Sequence, residues 1–541
     1  MKQLPWNAAT AAALELEWLL TESAPAGEFG RRFRAQQRAF GPGDEAEARV
    51  AVAAVARVGG AASTGMLEAL RGALAAVPDP STALARAAVG DVLGDVDFFD
   101  LNRFLDALGE VRVLLADAAF AGVEAPAGDA SLAAALAPGR TPQRSFYLDD
   151  AFAPELASAR AAANERQTAY DAARGRLTAR VALALGLPHV RDGEFTLMRD
   201  ALGGPLPPEV RVLREAPTYL ACELALDDAT LAALAARDAA AVRVAELEEA
   251  VRARLSRVAG EAAPALLRAC AALGELDAFA GRARFARRYA CVEPAIVEAG
   301  AALVFEDARY LPLAEALGER GRAYVPISLR LEGAAVVTGP NMGGKTAALR
   351  TCGFVAACVA LGLPVPARSA TLPLFDEIVW IGIARGAGEA ELEGRLLSSF
   401  GAEVTALRGF FERGARRPLL LIDEFARTTT PREGRALLVA LLERLRERGA
   451  SALAATHLHG IAREAGTAHF AIAGLREIPA RTQTPLDLAA ALNLIGAAMD
   501  YRLIAGDEDE TVGGDALALA DVLGLDADVV ARARAELNRS L

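Results

Sequence analysis

Eight consecutive residues near the middle of the chain have the types and order needed to bind phosphate. They are Gly339, Pro340, Asn341, Met342, Gly343, Gly344, Lys345 and Thr346, and they fit the pattern GxxxxGK[ST]. Glycines let backbone N–H groups converge on phosphate oxygens, and a helix that begins there adds a partial positive charge. Lys345 could reach the β- and γ-phosphates, and the Thr346 hydroxyl could ligate magnesium. The pattern predicts a site for ATP and Mg²⁺.

Two further polar groups follow short apolar runs. Asp423 and Glu424 come directly after Leu419 to Ile422, and His457 comes shortly after Ala452 to Ala455. Asp423 could hold magnesium, Glu424 could polarise the attacking water, and the His457 imidazole could touch the γ-phosphate. Two solvated acids and a structural histidine are the alternative. Because three successive strands would each end in a suitable group, we interpret Lys345, Glu424 and His457 as the catalytic residues.

The elements that must position these residues indicate an α/β region. From about residue 300 onward, short apolar runs alternate with helical segments, which is typical of a largely parallel sheet with ligands at the strand carboxyl ends. Residues 1 to about 150 show repeated amphipathic helical segments instead. A chain of 541 residues is also too long for one core. We predict a multidomain α plus α/β protein.

The middle of the chain predicts a helical arm. Residues 154 to 184 are interpreted as one long alanine-rich helix and residues 229 to 258 as a second, with apolar residues at steps of 3 and 4. Between them, residues 185 to 228 contain glycine, proline and β-favouring patches, which predicts a small β tip. A helical hairpin with a long loop would show the same periodicity. The predicted domains are a helical core at 1–153, arms with their tip at 154–300, and an ATPase domain at 301–541.

Composition narrows the cellular setting. Five cysteines without a CxxC pair favour a reducing compartment, and the N-terminus has no pattern of an export signal, so a cytoplasmic location is predicted. The uncharged run from Thr351 to Ala367 contains two prolines and is predicted to be a buried helix, not a membrane span. Of the 58 basic residues only Lys2 and Lys345 are lysines. A local requirement for lysine is therefore expected at position 345.

Several motifs resemble those of the MutS family. The segment from Gly339 to Thr346, with Asn-Met-Gly-Gly in its middle, resembles the family's phosphate loop. Ser398-Ser399-Phe400 with Glu403 is similar to its signature segment, and the run that begins at Asp423 is similar to Asp-Glu-Ile-Gly-Arg-Gly-Thr-Ser. The resemblance implies an ABC-type P-loop ATPase that works as a homodimer or with a paired MutS-like subunit. It also implies that Ser398 contacts the γ-phosphate bound by the partner.

The resemblance extends beyond the ATPase region. Residues 154 to 258 resemble the family's lever and clamp, and residues 517 to 537 resemble its closing helix pair. Departures from the family pattern are also expected: the mismatch-reading domain and the C-terminal nuclease domain of the second MutS type have no counterpart. Ala426 and Thr428 replace two family glycines after Glu424, and their Cβ atoms should restrict the backbone there.

The sequence leaves two hypotheses for what the arms hold. One is a clamp on duplex or branched DNA, as in most of the family. Residues 151 to 300, however, carry 19 arginines against 20 acids, and the tip is net acidic, whereas phosphate contacts need clustered basic side chains. The other is a protein client, because some truncated MutS-like ATPases resemble reactivating factors for the adenosylcobalamin-dependent lysine 5,6-aminomutase. We favour the protein client, and the DNA clamp is the alternative.

Overall fold

The chain divides into two compact units in a computed structural model, which describes residues 4–140, 146–190, 193–340, 344–382, 399–475, 494–495, 497–506 and 515–539. The first unit comprises Met1–Ala76, Glu110–Ala125 and Ala271–Leu541, and the second comprises Val77–Gly109 and Pro126–Cys270. This division differs from the three predicted domains, whose boundaries stay predictions. The mixture of helical and α/β structure with a largely parallel sheet is confirmed.

The helices are numbered in chain order. They are α1 Ala8–Ala13, α2 Leu16–Glu22, α3 Glu28–Gln36, α4 Glu45–Gly59, α5 Thr64–Ala76, α6 Ser81–Ala88, α7 Asp95–Leu115, α8 Ala130–Leu136, α9 Pro154–Ala184, α10 Asp228–Arg288, α11 Leu311–Gly318, α12 Lys345–Ala360, α13 Ser399–Arg413, α14 Pro431–Glu447, α15 Ile461–Ala465, α16 Asp515–Val522 and α17 Ala527–Arg539.

The strands form three sheets. They are β1 Glu194–Met198, β2 Val210–Glu215, β3 Tyr219–Leu224, β4 Ala295–Val297, β5 Leu303–Ala308, β6 Ile327–Leu331, β7 Ala334–Thr338, β8 Ser369–Pro373, β9 Glu377–Ile381, β10 Pro418–Asp423, β11 Ser451–Ala455, β12 Ala468–Leu475 and β13 Met499–Ala505. The six-stranded sheet has the order β13-β12-β7-β11-β10-β9, with every neighbouring pair parallel except β12 and β13. The smaller sheets have the orders β4-β8-β5-β6 and β1-β3-β2.

The helix that follows β7 is the centre of the first unit. Every residue of α12 from Thr351 to Ala360 is buried, which confirms the prediction of a buried helix in this run. A Cβ on Gly353 would lie 2.4 Å from the Leu421 side chain of β10 and 2.8 Å from that of Leu14. Glycine at this position therefore lets α12 pack tightly between the parallel sheet and the N-terminal helices.

The N-terminal residues cover the edge of the parallel sheet. The Ile378 backbone N–H of β9 donates to the Pro5 carbonyl at 2.6 Å, and the Trp380 N–H donates to the Thr10 hydroxyl at 3.1 Å. These bonds occupy donors that an edge strand would otherwise leave open. Residues 4 to 22 are thus part of the packing of the six-stranded sheet.

The second unit contains the predicted arm helices and β tip. Helix α9 has the predicted bounds, and its end packs Leu177 and Val181 into a cluster with Leu197, Leu220 and Cys222 of the tip sheet. Helix α10 is longer than predicted: it runs for 61 residues and continues past Pro264. The sequence prediction ended this helix near residue 258 because it followed the spacing of apolar residues only that far.

Within the described ranges, no single helix is both long and apolar enough to cross a bilayer. Helices α4 and α5 reach the required length and apolar composition only when they are taken together, and the chain bends by 109° between them.

Candidate functional site

The predicted phosphate loop, Gly339 to Thr346, begins directly after β7 and includes the first two residues of α12. Gly339 has φ +149°, and a Cβ there would lie 2.8 Å from Cβ of Ile472 on β12. Gly344, immediately before α12, has φ +99°, a left-handed conformation that glycine adopts without strain. Asn341, Met342 and Gly343 lie outside the described residues. The two described glycines therefore stand at positions where a side chain would be strained or would clash.

Lys345 points back into its own loop. Its Nζ donates to the Gly339 carbonyl at 2.9 Å and to the Pro340 carbonyl at 3.1 Å, and Oε1 of Glu424 lies 3.9 Å away. The side chain is only 5% exposed. Burial lowers the pKa of Lys345, and the charges of Glu424 and Asp423 oppose this shift. The ammonium group therefore lies inside the loop, where β- and γ-phosphates would be bound.

Thr346 and Asp423 meet at the start of α12. The Thr346 hydroxyl lies 3.2 Å and 3.1 Å from the two carboxylate oxygens of Asp423, which ends β10. Burial raises the pKa of Asp423 and Glu424 adds to the shift, whereas the Thr346 hydrogen bond and the Arg350 and Lys345 charges oppose it. A hydroxyl and a carboxylate are hard oxygen donors, so this pair suits Mg²⁺.

Glu424 has an unusual backbone conformation. Its φ is +51°, and its N–H donates to the Ala455 carbonyl of β11 at 2.9 Å. One carboxylate oxygen accepts from Arg427 at 3.1 Å, and the other faces Lys345. A left-handed glutamate is uncommon and often marks a functional position. Here the conformation places the carboxylate between two cations beside the phosphate loop.

His457 follows β11 at the same edge of the sheet. The turn that carries it is held by the Thr456 N–H, which donates to Val337 of β7 at 3.0 Å, and by the Leu458 N–H, which donates to the Thr456 hydroxyl at 3.1 Å. The imidazole itself is exposed. Because β11 lies between β7 and β10, the structure brings all three predicted groups to adjacent strand ends.

The loop after Glu424 packs against the segment that resembles the family signature. An oxygen of Glu403, a side chain only 7% exposed, accepts from the Ala426 N–H at 2.9 Å, and the Phe400 and Phe425 rings lie 6.3 Å apart. Ala426 has φ +60°. The alanine thus adopts the conformation for which glycine is the usual residue. Ser398 lies outside the described residues.

Sequence reasoning assigned no role to His469, but the structure places it beside the phosphate loop. This buried imidazole on β12 has Nε2 2.8 Å from the Thr338 hydroxyl and Nδ1 3.1 Å from the Gly506 carbonyl. Nδ1–H can donate to the carbonyl while Nε2 accepts from the hydroxyl. Thr338 is the last residue before Gly339. No local pattern could have found this contact, because it joins residues 131 positions apart.

Sequence reasoning also missed close contacts at Asp423 and on α12. A Cβ on Gly382, which has φ +148°, would lie 2.8 Å from the Asp423 carbonyl oxygen. Arg350, one turn after Thr346 on α12, forms an ion pair of 3.4 Å with Glu15 from the N-terminal segment. The hydroxyl of Tyr310 donates to the same glutamate at 2.9 Å. The N-terminal helices therefore contact the helix that carries the phosphate loop.

A cavity opens beside the start of α12. Its volume is about 730 Å³, and its lining includes Tyr324, Gly344, Ala347, Met499 and Tyr501. A Cβ on Gly344 would lie 3.4 Å from the Tyr501 ring, in ordinary van der Waals contact with it. The cavity is large enough for a nucleoside and is adjacent to the phosphate loop.

Comparison with known proteins adds a family match. Residues 335–539 match the model of MutS domain V. The chain is similar to "Endonuclease MutS2" of Clostridium botulinum (strain Loch Maree / Type A3), with 33% identity over 186 residues, which is 34% of this chain and 22% of the relative. The protein of the same name from Carboxydothermus hydrogenoformans is 36% identical over 194 residues, covering 35% of this chain and 23% of the relative.

A third relative shows higher identity over a shorter stretch. The "Endonuclease MutS2" of Halothermothrix orenii is 41% identical over 123 residues, which is 23% of this chain and 15% of the relative. The chain thus spans about a quarter or less of the length of these relatives.

Proposed function

We propose, from the match of residues 335–539 to the model of MutS domain V, that the chain binds MgATP and hydrolyses it to ADP and phosphate. One observation carries the proposal. The Lys345 ammonium, the Thr346–Asp423 pair and Glu424 lie together at the carboxyl ends of β7 and β10, the two strands that flank β11. Ligands bind at that edge of parallel sheets in α/β proteins.

Each residue of the site has a distinct task. Lys345 binds the β- and γ-phosphates from within the loop, and the backbone at the start of α12 adds N–H donors. The Thr346 hydroxyl and the Asp423 carboxylate would hold Mg²⁺, which would neutralise charge on the phosphate oxygens. Glu424 orients the attacking water and accepts its proton, and His457 contacts the γ-phosphate. The cavity beside Gly344 receives the nucleoside.

Two substitutions test the ATPase proposal. Lys345→Ala should abolish turnover and weaken ATP binding, because the buried cation is lost. Glu424→Gln should lower turnover roughly 10²–10⁴-fold, the range for a general base, and leave ATP binding largely intact. Glu443→Gln, an exposed position on α14, is the matched control. Full turnover in Lys345→Ala or Glu424→Gln would overturn the assignment.

The ATPase is proposed to work as a dimer. In this scheme each ATP contacts Lys345 of one subunit and Ser398 of the other, so that ATP binding draws the subunits together and hydrolysis releases them. Helices α9 and α10 then act as levers that open and close around a macromolecular client. Sedimentation of the Glu424→Gln variant with and without ATP tests this scheme. A monomer under both conditions would refute it.

The tip sheet supports a protein client. Over residues 193–224, five carboxylates (Glu194, Asp200, Glu209, Glu215 and Glu223) stand against three arginines (Arg199, Arg211 and Arg214), a balance of 3 − 5 = −2. Arg199 bonds Glu215 at 2.6 Å, Arg211 bonds Glu223, and Arg214 bonds the Tyr219 hydroxyl at 3.1 Å. These arginines are already engaged within the tip, whereas a DNA clamp needs basic groups directed at phosphates.

A DNA client is the second candidate, because the relatives are named endonucleases. Binding to duplex, mismatched and branched DNA at physiological salt separates the two candidates. Sub-micromolar, salt-dependent binding would refute the protein client.

An activity assay tests the protein client directly. We expect ATP-dependent recovery of activity when inactivated lysine 5,6-aminomutase is mixed with the wild-type chain and no recovery with Glu424→Gln.

A further inference from the structure

A buried arginine in the first unit has a hydrogen-bond donor without an acceptor. Arg282, near the end of α10, is only 7% exposed, and its Nη2 donates to the Gln37 side chain. Its Nη1 has no hydrogen-bond partner within the described residues. An unpaired donor on a buried cation is costly, so a partner of opposite charge is expected.

A second arginine faces the same place. Arg34 of α3 donates to the Leu20 carbonyl at 2.6 Å. The pKa of Arg282 is lowered to about 10, first by the burial of Arg282 and second by the positive charge of Arg34. Neither arginine forms an ion pair with a carboxylate in the described part of the chain. Two neighbouring guanidinium groups are therefore buried or partly buried, and no carboxylate of the described residues forms an ion pair with either of them.

Both arginines line one small cavity. It has a volume of about 10 Å³, and Arg34, Arg282, Ser23 and Leu361 are among its lining residues. An accessible space of this size accommodates one small occupant, on the order of a water molecule. Gly362 borders the same arginine: a Cβ there would lie 3.4 Å from Nη1 of Arg282.

We propose that this cavity binds one monatomic anion of the size of chloride between the guanidinium groups of Arg282 and Arg34. The anion would offset two cations that repel each other and would accept from the Arg282 donor that lacks a partner. The lining comes from the end of α2, from α3, from the C-terminal part of α10 and from the turn after α12. A bound anion would thus connect α2, α3 and the C-terminal part of α10 to the end of α12.

Chloride-dependent stability tests the proposal. Thermal unfolding is measured at constant ionic strength while gluconate is replaced by chloride. At a tenfold excess of chloride over its Kd, we expect the Tm to be higher by roughly 1–2 °C and to keep rising with the logarithm of the chloride concentration. The rise should disappear in Arg282→Met and in Arg34→Met. It should persist in Arg71→Met, which removes a partly buried arginine that bonds the Ala24 carbonyl at 3.0 Å.

A crystallographic measurement locates the anion without any variant, so it remains decisive if Arg282→Met fails to fold. Crystals of the wild-type chain grown in bromide should show an anomalous peak within about 3.5 Å of Nη1 of Arg282, the reach of a hydrogen bond to a large anion. A water without anomalous signal, or a Tm that does not respond to chloride, would overturn the proposal. Both readouts are independent of ATP turnover, so they do not depend on the proposed function.

Discussion

The contact between Glu403 and Ala426 yields a prediction that can be worked through quantitatively. Glu403 of α13 is 7% exposed, and its carboxylate accepts from the Ala426 N–H at 2.9 Å. Ala426 has φ +60°, so its backbone is held in a conformation that costs about 1–2 kcal/mol for a residue with a Cβ. Glu424, the proposed base, is two residues away. Removal of the acceptor should therefore affect both stability and turnover.

The size of the effect depends on what replaces the glutamate. Glu403→Ala leaves a buried N–H without an acceptor, at about 1–3 kcal/mol, and removes one buried methylene, at about 0.8 kcal/mol. We expect a loss of roughly 2–4 kcal/mol in the free energy of unfolding. Glu403→Gln keeps an acceptor oxygen and removes a charge whose burial is unfavourable, so its loss should stay below about 1 kcal/mol.

The pKa of Glu403 adds a pH signature. Burial raises the pKa of this carboxyl in the folded state, and the Ala426 hydrogen bond and the Arg427 charge oppose the shift. The folded state therefore binds the proton more tightly than the unfolded state, so the wild-type contribution from this group is present at low pH and is lost as pH rises through the folded pKa. Glu403→Gln should remove this component from the pH profile of stability.

Urea unfolding followed by tryptophan fluorescence measures these differences. All three tryptophans (Trp6, Trp18 and Trp380) belong to the first unit, which also contains Glu403. The matched control is Glu412→Ala on the same helix, where an exposed i,i+4 pair with Arg408 contributes about 0.3–0.5 kcal/mol. The reasoning fails if Glu403→Ala loses no more stability than this control, or if glutamine is as damaging as alanine.

Three further predictions follow from the site and its surroundings. Gly382→Ala should destabilise the chain and raise the Mg²⁺ concentration for half-maximal ATPase activity, because its Cβ would lie 2.8 Å from the Asp423 carbonyl oxygen; an unchanged Mg²⁺ titration would contradict this. Thr346→Val should raise the same Mg²⁺ concentration at least about tenfold while binding of ATP without metal stays the same, because a hard oxygen ligand is lost. Cys352, whose pKa burial raises to about 12, and Cys358, whose pKa burial also raises, should react with a thiol reagent at pH 8 roughly 10³-fold more slowly in the native chain than in urea, and equal rates would show that they are accessible.

The parts of the structure that the sequence predicted well are those with local signals. Helix α9 has its predicted bounds because a continuous alanine-rich segment follows a proline at its first position. The strands before Gly339, Asp423 and His457 were predicted because buried parallel strands read as short apolar runs. The extension of α10 to Arg288 was missed because the prediction followed the apolar spacing only to about residue 258.

The sequence by itself determined the chemistry of the site, since the residue types, their spacing and the strand–loop–helix order of Gly339 to Thr346 are all local properties. Only the tertiary structure decided what holds that chemistry in place. Glu403 on Ala426, His469 on Thr338 and Glu15 on Arg350 join residues that are 23, 131 and 335 positions apart. Such contacts depend on how helices and strands pack, because no periodicity in the chain relates residues that are distant in sequence.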